Sequence, residues 1–174
     1  MAQKSDDSPT GSMFFTTVID TPVGRMEICS DEMYIRSVLF RDNDERMESA
    51  EGERPECLQQ CMDQLSEYFY GTRRVFDLPL LPLGTPFQLR VWSKLAEIPF
   101  GRTISYLDLA KRLGDPKTIR ATGTANGKNP VAIILPCHRV IGSSGELVGY
   151  AGGQAEPDHA CAARLSCDVS ICCI

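Results

Sequence analysis

The chain has 174 residues, 43% of them hydrophobic and 24% charged, with a formal net charge of −5. That suits one or two small domains able to bury a core. No apolar run approaches the roughly 20 residues a bilayer-spanning helix needs, and the start Met1-Ala2-Gln3-Lys4-Ser5-Asp6-Asp7 lacks the apolar core of a secretion signal, so the cytosol, or the nucleus of a nucleated cell, is the expected setting.

Residues 1–12 are polar and rich in Ser, Asp, Pro and Gly, and read as a disordered leader. From Phe14 to Phe40 apolar and polar residues alternate around a Thr21-Pro22-Val23-Gly24 turn and a polar turn at Ser30-Asp31-Glu32, the pattern of an antiparallel meander. Asp42 to Pro55 is charged and reads as a loop. Leu58, Cys61, Met62, Leu65 and Phe69 recur at helical spacing within Cys57–Tyr70, and Gly71 supplies the stop. Val75 to Leu83 is extended and interrupted by Pro, as in an edge strand followed by a linker. Residues 13–84 therefore form a small α/β scaffold with no evident nucleophile.

The pattern changes at Thr85. Thr85-Pro86-Phe87-Gln88 combines an N-cap, a Pro in the first turn and a Gln three residues after the cap. Phe87, Val91, Leu95 and Ile98 continue as one apolar stripe until Pro99 and Gly101. A second helix starts at Ser105 and stops at Gly114; a third starts at Asp115-Pro116 and carries Thr118, Ile119 and Arg120 towards Ala125. Two short helices joined by a Gly-Asp-Pro turn, the second rich in small and basic residues, resemble a helix-turn-helix. An ordinary helical hairpin has the same outline.

Charge is segregated along the chain. Residues 1–84 carry eight Lys/Arg against sixteen Asp/Glu, whereas residues 85–153 carry nine against four, a net of +5. Such asymmetry is expected where one module faces phosphates, although chance imbalance also produces it.

The run Val131 to Leu135 predicts a buried strand that delivers Pro136-Cys137-His138-Arg139-Val140 to a rim. The chain's other histidine, His159, stands near the end, so His138 is the candidate imidazole partner for Cys137, directly or through water. Thiolate content sets sulfur reactivity, and a nearby imidazole raises it above that of a free cysteine with pKa of ~8.5. By itself the pentapeptide also fits a small buried hydrophobe. The eight cysteines read as reduced thiols in a chain without an export signal, and no Cys/His spacing completes a zinc site.

In order, Gly84-Thr85-Pro86-Phe87-Gln88, Val91-Trp92, Ile98-Pro99-Phe100-Gly101, Ser105-Tyr106, Arg120-Ala121, Asn129-Pro130, the Cys137 pentapeptide and Gly149-Tyr150-Ala151-Gly152-Gly153 resemble the O6-alkylguanine-DNA alkyltransferase family. The match is dense from Gly84 to Gly153 and looser from Phe14 to Phe40. The resemblance implies an α/β chain: a ribonuclease H-like scaffold over 13–84, then a mostly helical, winged helix-turn-helix-like domain over 85–153. It implies a monomer that enters the minor groove of double-stranded DNA and everts an alkylated guanine. The alkyl group then passes irreversibly to the protein's own cysteine, once per molecule, with O4-alkylthymine a further substrate and with no metal or organic cofactor.

Carried over by position, Cys137 is the acceptor, His138 its base, and Tyr106 the donor to the leaving guanine. Asn129 braces the turn beside them. Arg120 fills the vacated space in the duplex, with Thr118, Ala121, Gly123, Thr124 and Ala125 on the DNA-reading helix. Val140 offers a carbonyl to the base, and Tyr150 and Ala151 line the pocket.

Residues 154–174 depart from the family. Its Trp and Leu pair are missing, and Arg164 stands where the Glu that orients the catalytic His is expected. Half of the cysteines crowd into this tail, leaving Glu156 as a candidate substitute. Two further classes therefore stay open: a non-catalytic protein that binds alkylguanine lesions, and a Cys-His hydrolase turning over through an acyl intermediate.

Overall fold

A computed structural model describes residues 13–41 and 54–142 of the chain. The leader, most of the charged loop, Tyr150, Ala151, Glu156 and the whole tail lie outside the described residues.

The expected meander forms. Strands β1 (Phe15–Thr21), β2 (Gly24–Ser30) and β3 (Ile35–Arg41) pair antiparallel with β2 in the centre. Strand alternation sends Met26 and Ile28 from β2, and Ile35, Val38 and Phe40 from β3, into the core. Asp31 closes the β2–β3 turn: its carboxylate accepts from the backbone of Met33 and Tyr34 and from the Arg36 guanidinium. Helix α1 (Glu56–Phe69) covers the sheet with Cys57, Leu58, Cys61 and Leu65.

The stretch from Val75 to Leu83 is not an edge strand but makes one parallel bridge, Leu80 to Ile35. Gln64 holds it onto α1, donating to the Asp77 carbonyl at 2.8 Å and accepting from its amide at 2.9 Å. Those bonds satisfy the segment without a ladder.

Helix α2 (Pro86–Ala96) begins with the expected capping box between Thr85 and Gln88. After the two-residue strand β4 (Ile104–Ser105), helix α3 (Tyr106–Arg112) starts on a second capping box, Ser105 with Asp108. Gly114, at φ +99°, makes the left-handed turn that a side chain would resist. A 3-10 turn, Pro116–Thr118, leads into α4 (Ile119–Gly127).

Trp92 ties α2 to α4, its indole Nε1 donating to the Ala125 carbonyl at 2.8 Å. Gly84 makes room for that ring: a Cβ there would sit 2.5 Å from two of its carbons. Both halves contribute to one continuous apolar core, from Met26 and Leu65 through Leu95 and Leu109 to Val131 and Leu135.

The predicted strand over Val131–Leu135 does not form. Val131 makes a single parallel bridge with Val38, through Val38 N–H to Pro130 O and Ala132 N–H to Val38 O, both 2.8 Å. The chain then coils: Leu135 N–H bonds back to Val131 O at 3.0 Å, and Ile133 adopts φ +71°. A β-branched residue in that region carries strain of order 1–3 kcal/mol, and Ile133 is held there while fully packed. The apolar run signals burial, which is correct; its β propensity is overridden by side-chain bonds from Asn129.

Candidate active site

Asn129 is buried and bonded at both ends. Its Nδ2 donates to the carbonyls of Leu135, at 2.7 Å, and Val131, at 3.3 Å, while its Oδ1 accepts from the Val131 amide at 3.0 Å. The side chain thus closes the coil that a strand would have left open. Pro136 follows, and Cys137–Arg139 form a 3-10 turn, not a strand end, with Cys137 N–H bonded to Leu135 O at 2.8 Å. The chain leaves through β5 (Val140–Ile141), which pairs parallel with β4 and buries Val140 against Ile104's strand.

Cys137 is half-buried, unlike Cys57 and Cys61, which are sealed beneath the sheet. Burial pushes the Cys61 thiol up to about 12 and raises that of Cys57 as well. Neither supplies thiolate at neutral pH. Both cysteines on α1 are structural; Cys29 on β2 is half-buried like Cys137, and of these two it is Cys137 that lies beside Tyr106.

Tyr106 opens α3 at the same spot. It is buried, and the loss of solvent raises its pKa; a hydrogen bond from Asn126 opposes that rise and the nearby Cys137 adds to it. The hydroxyl therefore stays protonated at neutral pH, as a donor must. Asn126 Nδ2 lies 3.5 Å from this hydroxyl and 3.3 Å from the Cys137 carbonyl, joining the two residues through one amide. The sequence reading missed Asn126. Its signal was a polar residue on the inner face of a small-residue helix, four positions after the equally buried Thr122.

His138 is half-buried on the 3-10 turn, and its Nδ1 is buried without a hydrogen-bond partner among the described residues. No described residue orients the ring through that nitrogen. Arg139 is structural: it donates to the Ile98 carbonyl at 2.9 Å and lies 5.5 Å from the Phe100 ring centre, with Arg74 at 5.4 Å from the same ring. Arg139 thereby pins the far end of the Cys137 turn to the loop after α2.

Helix α4 divides its residues between two faces. Arg120, Ala121 and Thr124 are exposed, together with Lys117 and Lys128 nearby, and the Arg120 side chain has no ion-pair partner among the described residues. Thr118 is half-buried and its hydroxyl is bonded to the Asp115 carbonyl at 2.7 Å. One residue expected on the outer surface turns inward. Ala125 is 3% exposed with its carbonyl taken by Trp92, and Gly123 is half-buried, where a Cβ would stand 3.8 Å from the Tyr106 ring. Helical periodicity is the reason: positions 122, 125 and 126 share the core face, 120, 121 and 124 the other.

A cavity of about 370 Å³ lies in the other half, between β1 and α1, lined by Ile19, Asp20, Met62, Phe69 and Tyr70 among others. It contains neither cysteine nor histidine. Among the described residues no cluster of His, Cys, Asp and Glu is arranged to hold a metal ion.

Comparison with known proteins places this arrangement. Residues 14–82 match the model for the ribonuclease-like domain of 6-O-methylguanine DNA methyltransferase, and residues 86–163 match that for its DNA-binding domain. A methylated-DNA–protein-cysteine methyltransferase of Methanosarcina acetivorans is 42% identical over 141 residues, spanning 80% of this chain and 90% of the relative. The constitutive enzyme of that name from Bacillus subtilis is 41% identical over 149 residues, 83% of this chain and 90% of its own. The crystal structure of Mycobacterium tuberculosis O6-methylguanine methyltransferase superposes with a TM-score of 0.73 at 38% identity, covering 91% and 94% of the two chains. A structure of the same organism's protein in complex with DNA gives 0.71 at 37%, covering 88% and 91%. With both halves matched in order, the chain belongs to the 6-O-methylguanine DNA methyltransferase family.

Proposed function

We propose that the protein repairs DNA directly, moving an alkyl group, methyl above all, from O6-alkylguanine to its own Cys137 in a single irreversible turnover. DNA is its partner, and it is a methylated-DNA–protein-cysteine methyltransferase. One observation carries the reading: Asn126 joins the Tyr106 hydroxyl to the Cys137 turn, setting a proton donor beside an accessible sulfur. The family relationship supports it independently.

A sulfur–carbon bond forms at the alkyl carbon while the carbon–O6 bond breaks and its electron pair stays with the base. The proton that sulfur loses is the proton the base gains, with His138 and Tyr106 as its two stations. The thioether left behind has no easy leaving path, so each molecule acts once. Chemistry at O6 requires the base outside the stack, and a damaged base that pairs poorly is cheapest to evert. Asn129 holds the turn, and the Val140 carbonyl receives the base's amino group.

The exposed side of α4, with Arg120, Ala121 and Thr124 beside Lys117 and Lys128, is the surface for duplex DNA in the minor groove, Arg120 entering the space of the everted base. The protein acts as a monomer, in the cytosol or in the nucleus of a nucleated cell, and O4-alkylthymine is a further substrate. A lesion-binding role without transfer is the second reading, favoured by His138 Nδ1 having no partner among the described residues. Incubation with an oligonucleotide containing O6-methylguanine, followed by mass spectrometry, decides between them. A gain of one methyl on the Cys137 peptide is expected; lesion-selective binding with unchanged mass would overturn the repair reading.

A further inference from the structure

Two buried asparagines, three residues apart, are used in opposite ways. Asn129 is bonded at both its oxygen and its nitrogen, as expected of a side chain that holds a fold. Asn126 is 1% exposed, yet only its Nδ2 is bonded, to Tyr106 and Cys137, and its Oδ1 is buried with no partner among the described residues. A buried orphan acceptor costs about 1–3 kcal/mol, so such a group calls for an explanation other than stability.

The amide cannot be turned the other way. Reversal would set Oδ1 against the Cys137 carbonyl, two acceptors with no proton between them. With Nδ2 facing the pair, Tyr106 Oη is obliged to accept from Asn126, and its own single proton has no use for that amide. Gly123, one turn earlier on α4, lies beneath the Tyr106 ring, where even a Cβ would stand 3.8 Å from two ring carbons, in ordinary contact. The inner face of α4 is thus a seat for Tyr106, with Gly123 under the ring and Asn126 at the hydroxyl.

We infer that Asn126 is a positioning residue for alkyl transfer: by donating to Tyr106 Oη and to the Cys137 carbonyl, it points the tyrosine proton at the leaving base and fixes the distance between donor and sulfur. The inference rests on the proposed function, since it assigns how that reaction's donor is aimed. The bonds of Asn126 run to the Tyr106 hydroxyl and the Cys137 backbone carbonyl, so it acts through those two residues.

The test compares two electrophiles at Cys137. Transfer from O6-methylguanine in an oligonucleotide needs a proton on the leaving base; alkylation by iodoacetamide does not, because iodide leaves as an anion. Asn126→Leu keeps the size of the side chain and removes the donor, and Asn126→Ala serves if the leucine variant melts far below the parent. Roughly tenfold or greater loss of transfer is expected, with the iodoacetamide rate changed less than about threefold. In a Tyr106→Phe background the same substitution should add less than about twofold, because the group it aims is already gone. Parental transfer in the variant, equal losses with both electrophiles, or an undiminished loss in the Tyr106→Phe background would each overturn the inference. Failure of the parent protein to gain a methyl group would instead count against the proposed function.

Discussion

The Asn129 side chain donates to the Leu135 carbonyl at 2.7 Å, and that bond turns an apolar run that would otherwise extend into the coil presenting Cys137. Asn129→Ala orphans the buried Val131 amide and removes one of the two donors to each of the Val131 and Leu135 carbonyls, which keep their backbone bonds from Leu135 and Cys137. A loss of about 1–3 kcal/mol in urea unfolding is expected, together with slower methyl transfer, because the coil next to the sulfur loosens. Unchanged stability would show that the coil is held by its backbone bonds alone.

Trp92 and Gly84 form a second dependence. Gly84→Ala drives a methyl group to 2.5 Å from the indole, and a destabilisation of about 1–3 kcal/mol follows from overpacking. Trp92→Phe relieves that clash but orphans the Ala125 carbonyl on α4, so the single phenylalanine variant should also melt lower. The double variant should lose less than the sum of the two, a coupling that a thermal double-mutant cycle reads directly.

Thiol chemistry should follow burial. Peptide mapping after brief iodoacetamide treatment of the native protein at neutral pH is expected to find Cys137 labelled, with Cys57 and Cys61 labelled only after denaturation. The Cys61 thiol is raised in the folded state from 9.0 to about 12, so unfolding releases a proton above pH 9. Its contribution to stability is therefore complete below that pH and falls away as pH rises towards about 12.

Acid acts on a different group. Backbone bonds from Met33 hold the Asp31 carboxyl below its usual range, reinforced by Tyr34 and Arg36 against a cost of burial. A depressed folded value means stability that is present above the ordinary carboxylate pKa and lost as pH falls through the lower, folded one. Asp31→Asn should flatten the acid limb of the stability profile by lowering stability near neutral pH and above, and should converge with the parent at the acid end, where Asp31 is itself protonated. An acid limb identical to the parent's would place the effect on other carboxylates.

Arg120 separates DNA handling from chemistry. Its exposed position on α4 predicts that Arg120→Ala slows repair in duplex DNA by roughly tenfold while barely affecting reaction with free O6-benzylguanine. Equal losses on both substrates would remove its role in base eversion.

Much of this was legible from the sequence because it depends on local rules. The meander from Phe15 to Arg41 follows from two-residue alternation and polar turns. Helix α1 follows from its apolar spacing. The starts of α2 and α3 follow from caps that satisfy free amide groups within four residues, Thr85 with Gln88 and Ser105 with Asp108. The Cys137 pentapeptide, and the motifs around it, marked the site.

The errors share one cause. Val131–Leu135 reads as a strand because its residues are apolar and β-branched, but burial and strand formation are separable when a nearby amide caps the carbonyls. Ala125 reads as part of an exposed small-residue surface because it is small, while the phase of α4, set by packing of Thr122, Ala125 and Asn126, turned it inward.

The sequence by itself determined the meander, the helices and the starts of α2 and α3, and singled out Cys137 as the candidate sulfur, since each follows from residues a few positions apart. Only the tertiary structure decided which face of α4 is buried, that the Cys137 segment coils, and that Asn126 meets Tyr106 twenty residues away. Those outcomes depend on side chains from α3, α4 and the Cys137 turn competing for the same donors and the same space, and no local pattern in the chain records that competition.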